Sequence, residues 1–308
     1  MYYLGIDGRG RFGSLMMLDG NKKTVGRHSG ASVDLSRLPA ASVAQNVLSL
    51  VKEISRLTNT SIRECGGVCF SMDAALVKPN EAAVAKMFKN IGFSCPVKIV
   101  CGERALLAAK AGNSAGMLVT SGADVAGYIL REDSGETFHG NYGYIIETPG
   151  SGHAIGASAL RRVFAAFDGR AKDTALTALI TKHFNVKTVP EILPIIKHVD
   201  FDPKVLSELS AHVKTAGLSG DKAALEIETQ AAHGLAGFAK PMIEAGKKTG
   251  DRTVLVLGGP TLMLNESLFR QASALLRSLF PDIQILPGDE KPEAGAAALA
   301  MIDRAKNK

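Results

Sequence analysis

Residues 2–20 read YYLGIDGRGRFGSLMMLDG, and this stretch decides the fold of the chain. Its apolar start, Tyr2–Ile6, has the length and composition of a buried strand, and Asp7 stands at its end. The residues that follow include three glycines, Gly8, Gly10 and Gly13. Glycine adopts positive φ and lets the backbone approach a ligand closely. The stretch therefore predicts a β-hairpin whose glycine tip faces a phosphate.

The spacing Gly8-x-Gly10-x-x-Gly13 also matches the dinucleotide-binding fingerprint, and Asp34 lies at the distance expected for its ribose-binding acid. That fingerprint requires a helix directly after the glycines, because the helix N-terminus receives the pyrophosphate. Only six residues, Ser14–Asp19, precede the Asp19-Gly20 turn signal. Six residues suit a strand, so a hairpin is favoured, with a Rossmann-type domain and a purely structural hairpin as alternatives.

Length and composition limit the class of protein. A chain of 308 residues with 46% hydrophobic and 21% charged residues is typical of a folded protein with about two domains, and two lobes imply a cleft. No apolar run approaches the ~18 residues that span a bilayer, and the N-terminus lacks a signal-peptide pattern. We therefore expect a cytoplasmic protein without a membrane partner.

The charges and the cysteines argue against two further classes. The net charge is +6, yet lysine and arginine occur at most in pairs, so we expect no nucleic-acid partner. A modest positive field favours an anionic ligand such as a nucleotide. The four cysteines are Cys65, Cys69, Cys95 and Cys101. They lack the C-x-x-C spacing of a metal site, so buried thiols are expected.

Apolar periodicity in the first third of the chain predicts the order β-β-β-α-β-α-β. After the hairpin, the predicted elements are a strand at Lys23–Arg27, a helix at Ser42–Leu57, a strand at Gly67–Ser71, a helix at Glu81–Ile91 and a strand at Val97–Val100. A polar break at Cys101–Arg104 then precedes an alanine-rich helix at Ala105–Ala111. The break contains Glu103, and α/β proteins place working groups at the carboxyl ends of parallel strands.

The strand-turn-strand pattern then returns, with strands at Met117–Thr120 and Val125–Leu130 joined by the turn Ser121–Asp124. Two hairpins with glycine tips predict a duplicated domain whose tips converge on one ligand. Residues 171–250 read as mostly helical. The remaining predicted elements are a glycine-rich segment at 138–153, a helix at Ala157–Phe167, a strand at Val254–Leu257 ended by Gly258-Gly259-Pro260, a helix at Leu264–Leu279, a strand at Ile283–Leu286 and a helix from Pro292 to Arg304.

Six motifs occur along the chain in the order that one protein family shows. They are Leu4–Gly10, Ser121–Asp124, Gly140–Gly143, Gly150–Gly156, Val254–Pro260 and Pro292–Ala297. Together they resemble the BadF/BadG/BcrA/BcrD ATPase family, which includes N-acetylglucosamine kinase, and the resemblance runs nearly end to end. It implies an α/β, two-lobed actin-like ATPase fold, that is, a duplicated ribonuclease H-like domain. The implied lobes are 1–104, closed by a C-terminal helix at 292–308, and 105–291, with an inserted helical layer at 171–250.

The resemblance also implies roles for single residues. Asp7 would hold Mg²⁺ through water, and Glu103 falls where the family has the base that takes the proton from the acceptor hydroxyl. The residues implied in ATP binding are Gly8, Arg9, Gly10, Arg11, Ser121, Gly122, Ala123, Gly258 and Gly259. Those implied in acceptor binding are Asp34, Ser71, Asp73, Asp124, Tyr142, Gly143, Thr148 and His153. The expected ligands are ATP, Mg²⁺ and a small-molecule acceptor, and the expected assembly is a homodimer.

Some positions depart from the family pattern. Arg9 and Arg11 replace a glycine and a threonine in the first loop, and Ala123 replaces a threonine in the second. Thr148 replaces an aspartate that binds sugar hydroxyls, and Tyr142 replaces a tryptophan, so the acceptor can differ from N-acetylglucosamine. One function that follows is an ATP-dependent kinase whose arginines clamp an anion. The other is a nucleotide-binding protein with little or no turnover, in which the arginines fill the γ-phosphate space.

Overall fold

The structure is a computed structural model that describes residues 1–146, 149–249 and 254–302. The chain forms two compact units, of which the first holds Met1–Ala115 and the chain from Glu290 onward, and the second holds Gly116–Asp289. The second unit is therefore a continuous stretch inserted between two parts of the first. None of the described helices is long and apolar enough to cross a membrane.

The described elements are as follows, in chain order. The strands are β1 (Tyr2–Asp7), β2 (Phe12–Asp19), β3 (Thr24–Ala31), β4 (Cys65–Met72), β5 (Val97–Cys101), β6 (Gly116–Ser121), β7 (Val125–Leu130), β8 (Glu136–Gly140), β9 (Val254–Gly258) and β10 (Gln284–Gly288). The α-helices are α1 (Ala40–Thr58), α2 (Ala74–Ile91), α3 (Gly102–Ala111), α4 (Gly152–Phe167), α5 (Leu176–His183), α6 (Ile192–Ile196), α7 (Val205–Glu208), α8 (Ser210–Leu218), α9 (Lys222–Thr249), α10 (Pro260–Leu264), α11 (Glu266–Leu279) and α12 (Pro292–Ile302).

The first unit is built on a five-stranded sheet with the order β3-β2-β1-β4-β5. β1, β2 and β3 form antiparallel pairs, whereas β4 pairs in parallel with both β1 and β5. Asp7 aligns with Ser71, and Met72 aligns with Cys101, so the carboxyl ends of the three parallel strands lie at one edge. The predicted hairpin is confirmed. Gly13 lies inside β2 and no helix follows the glycines, so the Rossmann alternative is wrong.

The central strand β1 is buried on both faces. Leu4 packs in one apolar cluster with residues of α1 and α2, whereas Tyr3 packs in another with residues of α3 and α12. At Gly5 the backbone of α12 comes so close that a Cβ would lie 2.1 Å from the amide nitrogen of Ala297. A strand covered on both faces reads as a continuous apolar run, which is why the sequence predicts it clearly.

Helix α3 begins at Gly102, so the predicted polar break at Cys101–Arg104 is wrong. Cys101 caps the helix, because its Sγ accepts a hydrogen bond from a backbone amide in the first turn at 3.3 Å. A Cβ on Gly295 of α12 would lie 1.8 Å from the carbonyl oxygen of Ala105, so the backbones of α3 and α12 are in contact. Residues 105–115 accordingly belong to the first unit, beyond the lobe boundary expected after residue 104.

The second unit repeats the topology of the first. Its sheet has the order β8-β7-β6-β9-β10, with antiparallel pairs among β6, β7 and β8 and parallel pairs from β6 to β9 and from β9 to β10. The shared order confirms the predicted duplication. Strand β8 is absent from the prediction, because its residues are partly exposed at the sheet edge and run into the glycine-rich segment.

Two helices begin earlier than their sequence patterns predict, because side-chain caps decide where they start. Helix α4 begins at Gly152 rather than Ala157, and the Ser151 hydroxyl caps it by accepting from an amide of the first turn at 2.9 Å. Helix α2 begins after the cap Asp73 rather than at Glu81. The predicted helical region at 171–250 is confirmed by α5–α9, and the predicted helix end at Arg304 lies outside the described residues.

Candidate active-site residues of the two units

The glycine tip of the first hairpin needs glycine at two positions for different reasons. The Gly8 amide donates to the Ser71 carbonyl at 2.7 Å, and a Cβ on Gly8 would lie 2.4 Å from the ring of Phe70. Gly10 has a φ of 86° and open space at its Cβ position, so its backbone conformation is what requires glycine. Gly8 is therefore required because β4 packs against it, whereas Gly10 is required because of its positive φ.

Asp34 holds this tip in place. Its Oδ2 accepts from the Gly10 amide at 2.8 Å and lies 3.4 Å from Arg37 Nε, and its Oδ1 accepts from the Ser36 amide at 2.8 Å. Burial alone would raise the pKa of Asp34, but the hydrogen bonds from Ser36 and Gly10 lower it below its ordinary value. The carboxylate predicted as an acceptor ligand is thus engaged by the loop itself.

Three charged side chains of the first unit meet at the carboxyl edge of its sheet. Arg9 Nε lies 3.1 Å from Asp7 Oδ1, and Arg9 Nη1 lies 3.4 Å from Glu103 Oε1. The Ser71 hydroxyl donates to the same Asp7 oxygen at 3.0 Å. The end of β1 and the first turn of α3 thus bring the two predicted catalytic carboxylates to one guanidinium.

The Arg9 guanidinium is closely surrounded. Its side chain is 27% exposed, and a Cβ on Gly102 would lie only 1.9 Å from Arg9 Cζ. Burial alone would lower the pKa of Arg9, but the charges of Asp7 and Glu103 raise it overall. Arg9 is therefore a permanent cation in contact with two carboxylates, and it fits because residue 102 has no side chain.

Glu103 uses only one of its carboxylate oxygens in these contacts. Oε1 accepts from Arg9, whereas Oε2 is buried and has no hydrogen-bond partner among the described residues. Leaving a buried acceptor without a partner costs about 1–3 kcal/mol, and native proteins keep few such groups. Glu103 therefore has one oxygen held by Arg9 and one that is covered by protein and has no hydrogen-bond partner among the described residues.

Other polar residues of the first unit lie apart from these contacts or were not predicted. Arg11 is exposed and makes no ion pair with the described residues. Asp73 is exposed and caps α2 by accepting from the Ala75 amide at 3.0 Å. Glu293, in the first turn of α12, is buried, and burial raises its pKa, with a further contribution from the charge of Asp7. The sequence gives Glu293 no distinction from an ordinary acidic residue at a helix start.

Three predicted glycine motifs of the second unit converge on one point. The carbonyl of Gly122, at the tip of the second hairpin, accepts from the Gly152 amide at 2.7 Å and from the Thr261 hydroxyl at 3.1 Å. A Cβ on Gly259, which has a φ of 89°, would lie 2.5 Å from the carbonyl oxygen of Ser121. The hairpin tip, the start of α4 and the end of β9 are thus locked together by backbone contacts.

Ser121 adds a side-chain link to this cluster. It is fully buried, and its hydroxyl donates to the Gly150 carbonyl at 2.7 Å. The Ala123 carbonyl accepts from the His153 amide at 3.3 Å, so a further residue of the tip contacts the first turn of α4. The first three amides of α4, those of Gly152, His153 and Ala154, are thus all engaged by the hairpin tip and by the cap Ser151.

The predicted acceptor residues of the second unit are placed as follows. Tyr142 is 70% exposed, and Gly143 has a φ of 90° in the loop after β8. His153 is buried, with its ring 5.5 Å from that of Tyr144. Asp124 is half-buried at the hairpin tip, where its carbonyl accepts from the Gly122 amide at 2.9 Å. Thr148 lies outside the described residues.

No group of three or more His, Cys, Asp or Glu side chains within the described ranges is arranged to hold a metal ion. Cys65, Cys69 and Cys101 are buried and Cys95 is half-buried, and none forms a disulfide. The predicted burial of the thiols is therefore confirmed for Cys65, Cys69 and Cys101, whereas Cys95 is only half-buried.

Two sheets of one topology, each opened by a hairpin with a glycine tip, define the class as the actin-like ATPase and sugar kinase fold. Within this class, the sequence model of the BadF/BadG/BcrA/BcrD ATPase family matches residues 4–300. The chain therefore belongs to that family, and the predicted resemblance is confirmed.

Relatives of known activity are similar over almost the whole chain. The N-acetylmuramic acid/N-acetylglucosamine kinase of Clostridium acetobutylicum is 22% identical over 302 residues, which cover 98% of this chain and 99% of the relative. The N-acetyl-D-glucosamine kinase of Dictyostelium discoideum is 22% identical over 315 residues and 97% of each chain. The crystal structure of a candidate N-acetylglucosamine kinase from Chromobacterium violaceum has a TM-score of 0.70 at 18% identity, covering 97% of this chain and 98% of that one. The structural match confirms the predicted fold class.

Proposed function

We propose that the protein is an ATP-dependent kinase that phosphorylates a hydroxyl of a small sugar of the N-acetylglucosamine type. The observation that carries this proposal is the placement of the Glu103 carboxylate in the first turn of α3, at the same carboxyl edge of the parallel strands where β1 ends in Asp7. Family membership and the kinase relatives support the same reading. Fold alone would not, because one fold serves many functions.

Phosphoryl transfer to a hydroxyl requires only a few protein side chains. The bond between the γ-phosphorus and the β,γ-bridging oxygen breaks, ADP leaves with the electron pair, and a new phosphorus–oxygen bond forms to the acceptor. The acceptor hydroxyl gives its proton to the carboxylate of Glu103. Such transfers depend on positioning and electrostatic stabilisation more than on covalent chemistry of the protein.

Asp7 is the residue we assign to Mg²⁺. Its Oδ1 accepts from Arg9 and Ser71, and its Oδ2 makes no hydrogen bond within the described chain, so one oxygen has capacity for a water of the ion. Mg²⁺ in such enzymes is bound by one or two carboxylates together with water and substrate phosphates, which fits the residues present. When bound, the ion would neutralise charge on the β- and γ-phosphates.

The names of the relatives indicate which acceptor sugars to test. The Clostridium relative is named for N-acetylmuramic acid as well as N-acetylglucosamine, and both sugars are acceptors that we propose to test. The predicted acceptor residues of the second unit stay Asp124, Tyr142, Gly143, Thr148 and His153. The homodimer and the cytoplasmic location stay predictions as well.

A second function, nucleotide binding with little or no turnover, is favoured by a specific observation. The Arg9 guanidinium contacts both predicted catalytic carboxylates, at 3.1 Å and 3.4 Å. If that cation occupied the place of the transferred phosphate, ATP would bind weakly and no acceptor would react.

Glu103→Gln tests the proposal. This substitution keeps the shape of the side chain and removes the base, so kcat should fall by about 10²- to 10⁴-fold, with ATP affinity by calorimetry unchanged. The assay is ADP release with N-acetylglucosamine, N-acetylmuramic acid and a panel of acyl compounds. Glu53→Gln, which removes a carboxylate from an exposed ion pair on α1, is the matched control and should keep full turnover.

The possible results separate the candidates. Unchanged turnover in Glu103→Gln would contradict the assigned base. ATP binding by the unaltered protein without turnover of any acceptor in the panel would favour the second function. Absence of ATP binding at millimolar nucleotide would contradict both.

A further inference from the structure

We infer that Arg9 is a positioning residue for Glu103, fixing the orientation of the catalytic carboxylate through its contact with Oε1. The inference rests on the proposed function, because it requires Glu103 to be the base. It concerns a position where this chain departs from the family pattern, which has glycine there. It also commits to one partner for the arginine, the catalytic carboxylate rather than a phosphate.

The backbone around Arg9 is fixed before its side chain makes any contact. The Gly8 amide donates to the Ser71 carbonyl at 2.7 Å, and the Gly10 amide donates to the Asp34 carboxylate at 2.8 Å. Both neighbours of Arg9 are therefore anchored. An arginine on an anchored backbone loses less conformational entropy when it binds a carboxylate than one on a loose loop.

The contact between Arg9 and Glu103 differs from the surface ion pairs of this unit. Arg56 and Glu53 lie on one helix, with their side chains 68% and 38% exposed, whereas Arg9 and Glu103 are 27% and 20% exposed and 94 positions apart in sequence. Exposed pairs within a helix contribute little. A partly buried pair between a loop and a helix start can fix the orientation of both groups.

Orientation matters here because the terminal torsion of a glutamate is intrinsically broad. Without a partner, the carboxylate of Glu103 would present either oxygen over a wide range of directions. Arg9 Nη1 engages Oε1 at 3.4 Å, and Oε2 is covered by the protein. Misplacing a catalytic group by about 1 Å costs on the order of 10²-fold in rate.

The contacts of Arg9 favour this role over a phosphate clamp. Nε and Nη1 already contact Asp7 and Glu103, so two nitrogens of the planar fork are turned towards carboxylates. An arginine that binds phosphate offers the edge of this fork to the phosphate oxygens. The guanidinium has two such edges, Nε with Nη2 and Nη1 with Nη2, and in the structure each has one nitrogen turned towards a carboxylate.

Arg9→Gln is the first test. It removes the charge and the fork, so kcat should fall about 10- to 100-fold while KM for ATP stays unchanged. Arg9→Lys restores the charge but can contact only one carboxylate at a time, so it should recover part of kcat. Arg56→Gln, which breaks the exposed pair with Glu53, is the matched control and should behave like the unaltered protein.

Gly102→Ala tests the same role without changing any charge. Its Cβ would lie 1.9 Å from Arg9 Cζ and 2.1 Å from Arg9 Nη1, so the guanidinium must leave its observed place, and the variant should lose kcat as Arg9→Gln does. Residue 102 is not in the left-handed region and lies at the start of α3, where alanine is accepted.

A double-mutant cycle decides the inference. If Arg9 acts through Glu103, Arg9→Gln should have no further effect on kcat in the Glu103→Gln background. Additive losses, a raised KM for ATP, or faster turnover in Arg9→Gln would overturn it and indicate a separate role, a phosphate clamp or a blocked site, respectively. These results differ from failure of the proposed function, which appears as unchanged turnover in Glu103→Gln alone.

Discussion

Asp34→Asn tests whether Asp34 supports the glycine tip or binds the acceptor. The residue is 7% exposed, and its oxygens accept from the Gly10 and Ser36 amides at 2.8 Å each. In asparagine one of the two oxygens becomes an NH2 group, which cannot accept a hydrogen bond from the Gly10 or Ser36 amide. Hydrogen bonds to charged groups contribute about 1.5–3 kcal/mol each, so we expect a loss of about 1.5–3 kcal/mol in the free energy of unfolding.

Urea unfolding measures this loss, and the pH dependence supplies a second check. The pKa of Asp34 is lowered in the folded protein, so its contribution is present above the ordinary value of about 3.9 and is lost as the pH falls from there through the lower folded pKa. The difference in stability between Asp34→Asn and the unaltered protein should therefore shrink below about pH 4.

Asp19→Asn is the matched control for this prediction. Asp19 is the half-buried last residue of β2, and its Oδ1 accepts from the Asn21 and Lys23 amides of the following turn at 2.8 Å and 2.9 Å. Asparagine keeps that oxygen, so stability should change by less than about 0.5 kcal/mol. If Asp34→Asn unfolds like the unaltered protein and only raises KM for the sugar, the structural reasoning is refuted and Asp34 is an acceptor ligand.

Two further predictions concern the second unit. Gly259→Ala should lower stability by about 1–3 kcal/mol and weaken nucleotide binding, because φ is 89° and the new Cβ would lie 2.5 Å from the Ser121 carbonyl oxygen. In Gly237→Ala, the control in α9, the new Cβ meets nothing within 4 Å, and unaltered ATP affinity is expected by calorimetry. Mg-ATP or Mg-ADP should raise the melting temperature, since a ligand at 100 times its Kd stabilises by about 2.7 kcal/mol; no shift at millimolar nucleotide would count against nucleotide binding.

Local sequence patterns are sufficient to predict the buried strands, the amphipathic helix α1 and the hairpins with glycine turns. Strands β1, β4, β6 and β9 are continuous apolar runs, and α1 has a clear helical period, so these elements were predicted near their observed bounds. The two hairpins followed from the short distance between turn signals. Strand β8 was missed, because an edge strand with exposed residues lacks an apolar run.

Helix starts were predicted less well than helix interiors. Periodicity reports the buried face of a helix, whereas the start depends on a capping hydrogen bond. Ser151 and Asp73 cap α4 and α2 through single amides, so both helices begin before their apolar periods do. Glu103 is a further example, because it is predicted in a loop but lies in the first turn of α3, which Cys101 caps.

The sequence by itself determined the duplicated α/β architecture, the family, and the choice of Asp7 and Glu103 as candidate catalytic carboxylates. Each of these conclusions rests on short motifs or on periodicity within a single strand, helix or turn, which the sequence shows directly. Only the tertiary structure placed Arg9 against both carboxylates and left Glu103 Oε2 buried without a partner among the described residues. Arg9 and Glu103 are 94 positions apart, and they meet because parallel pairing of β1, β4 and β5 brings the ends of distant strands to one edge.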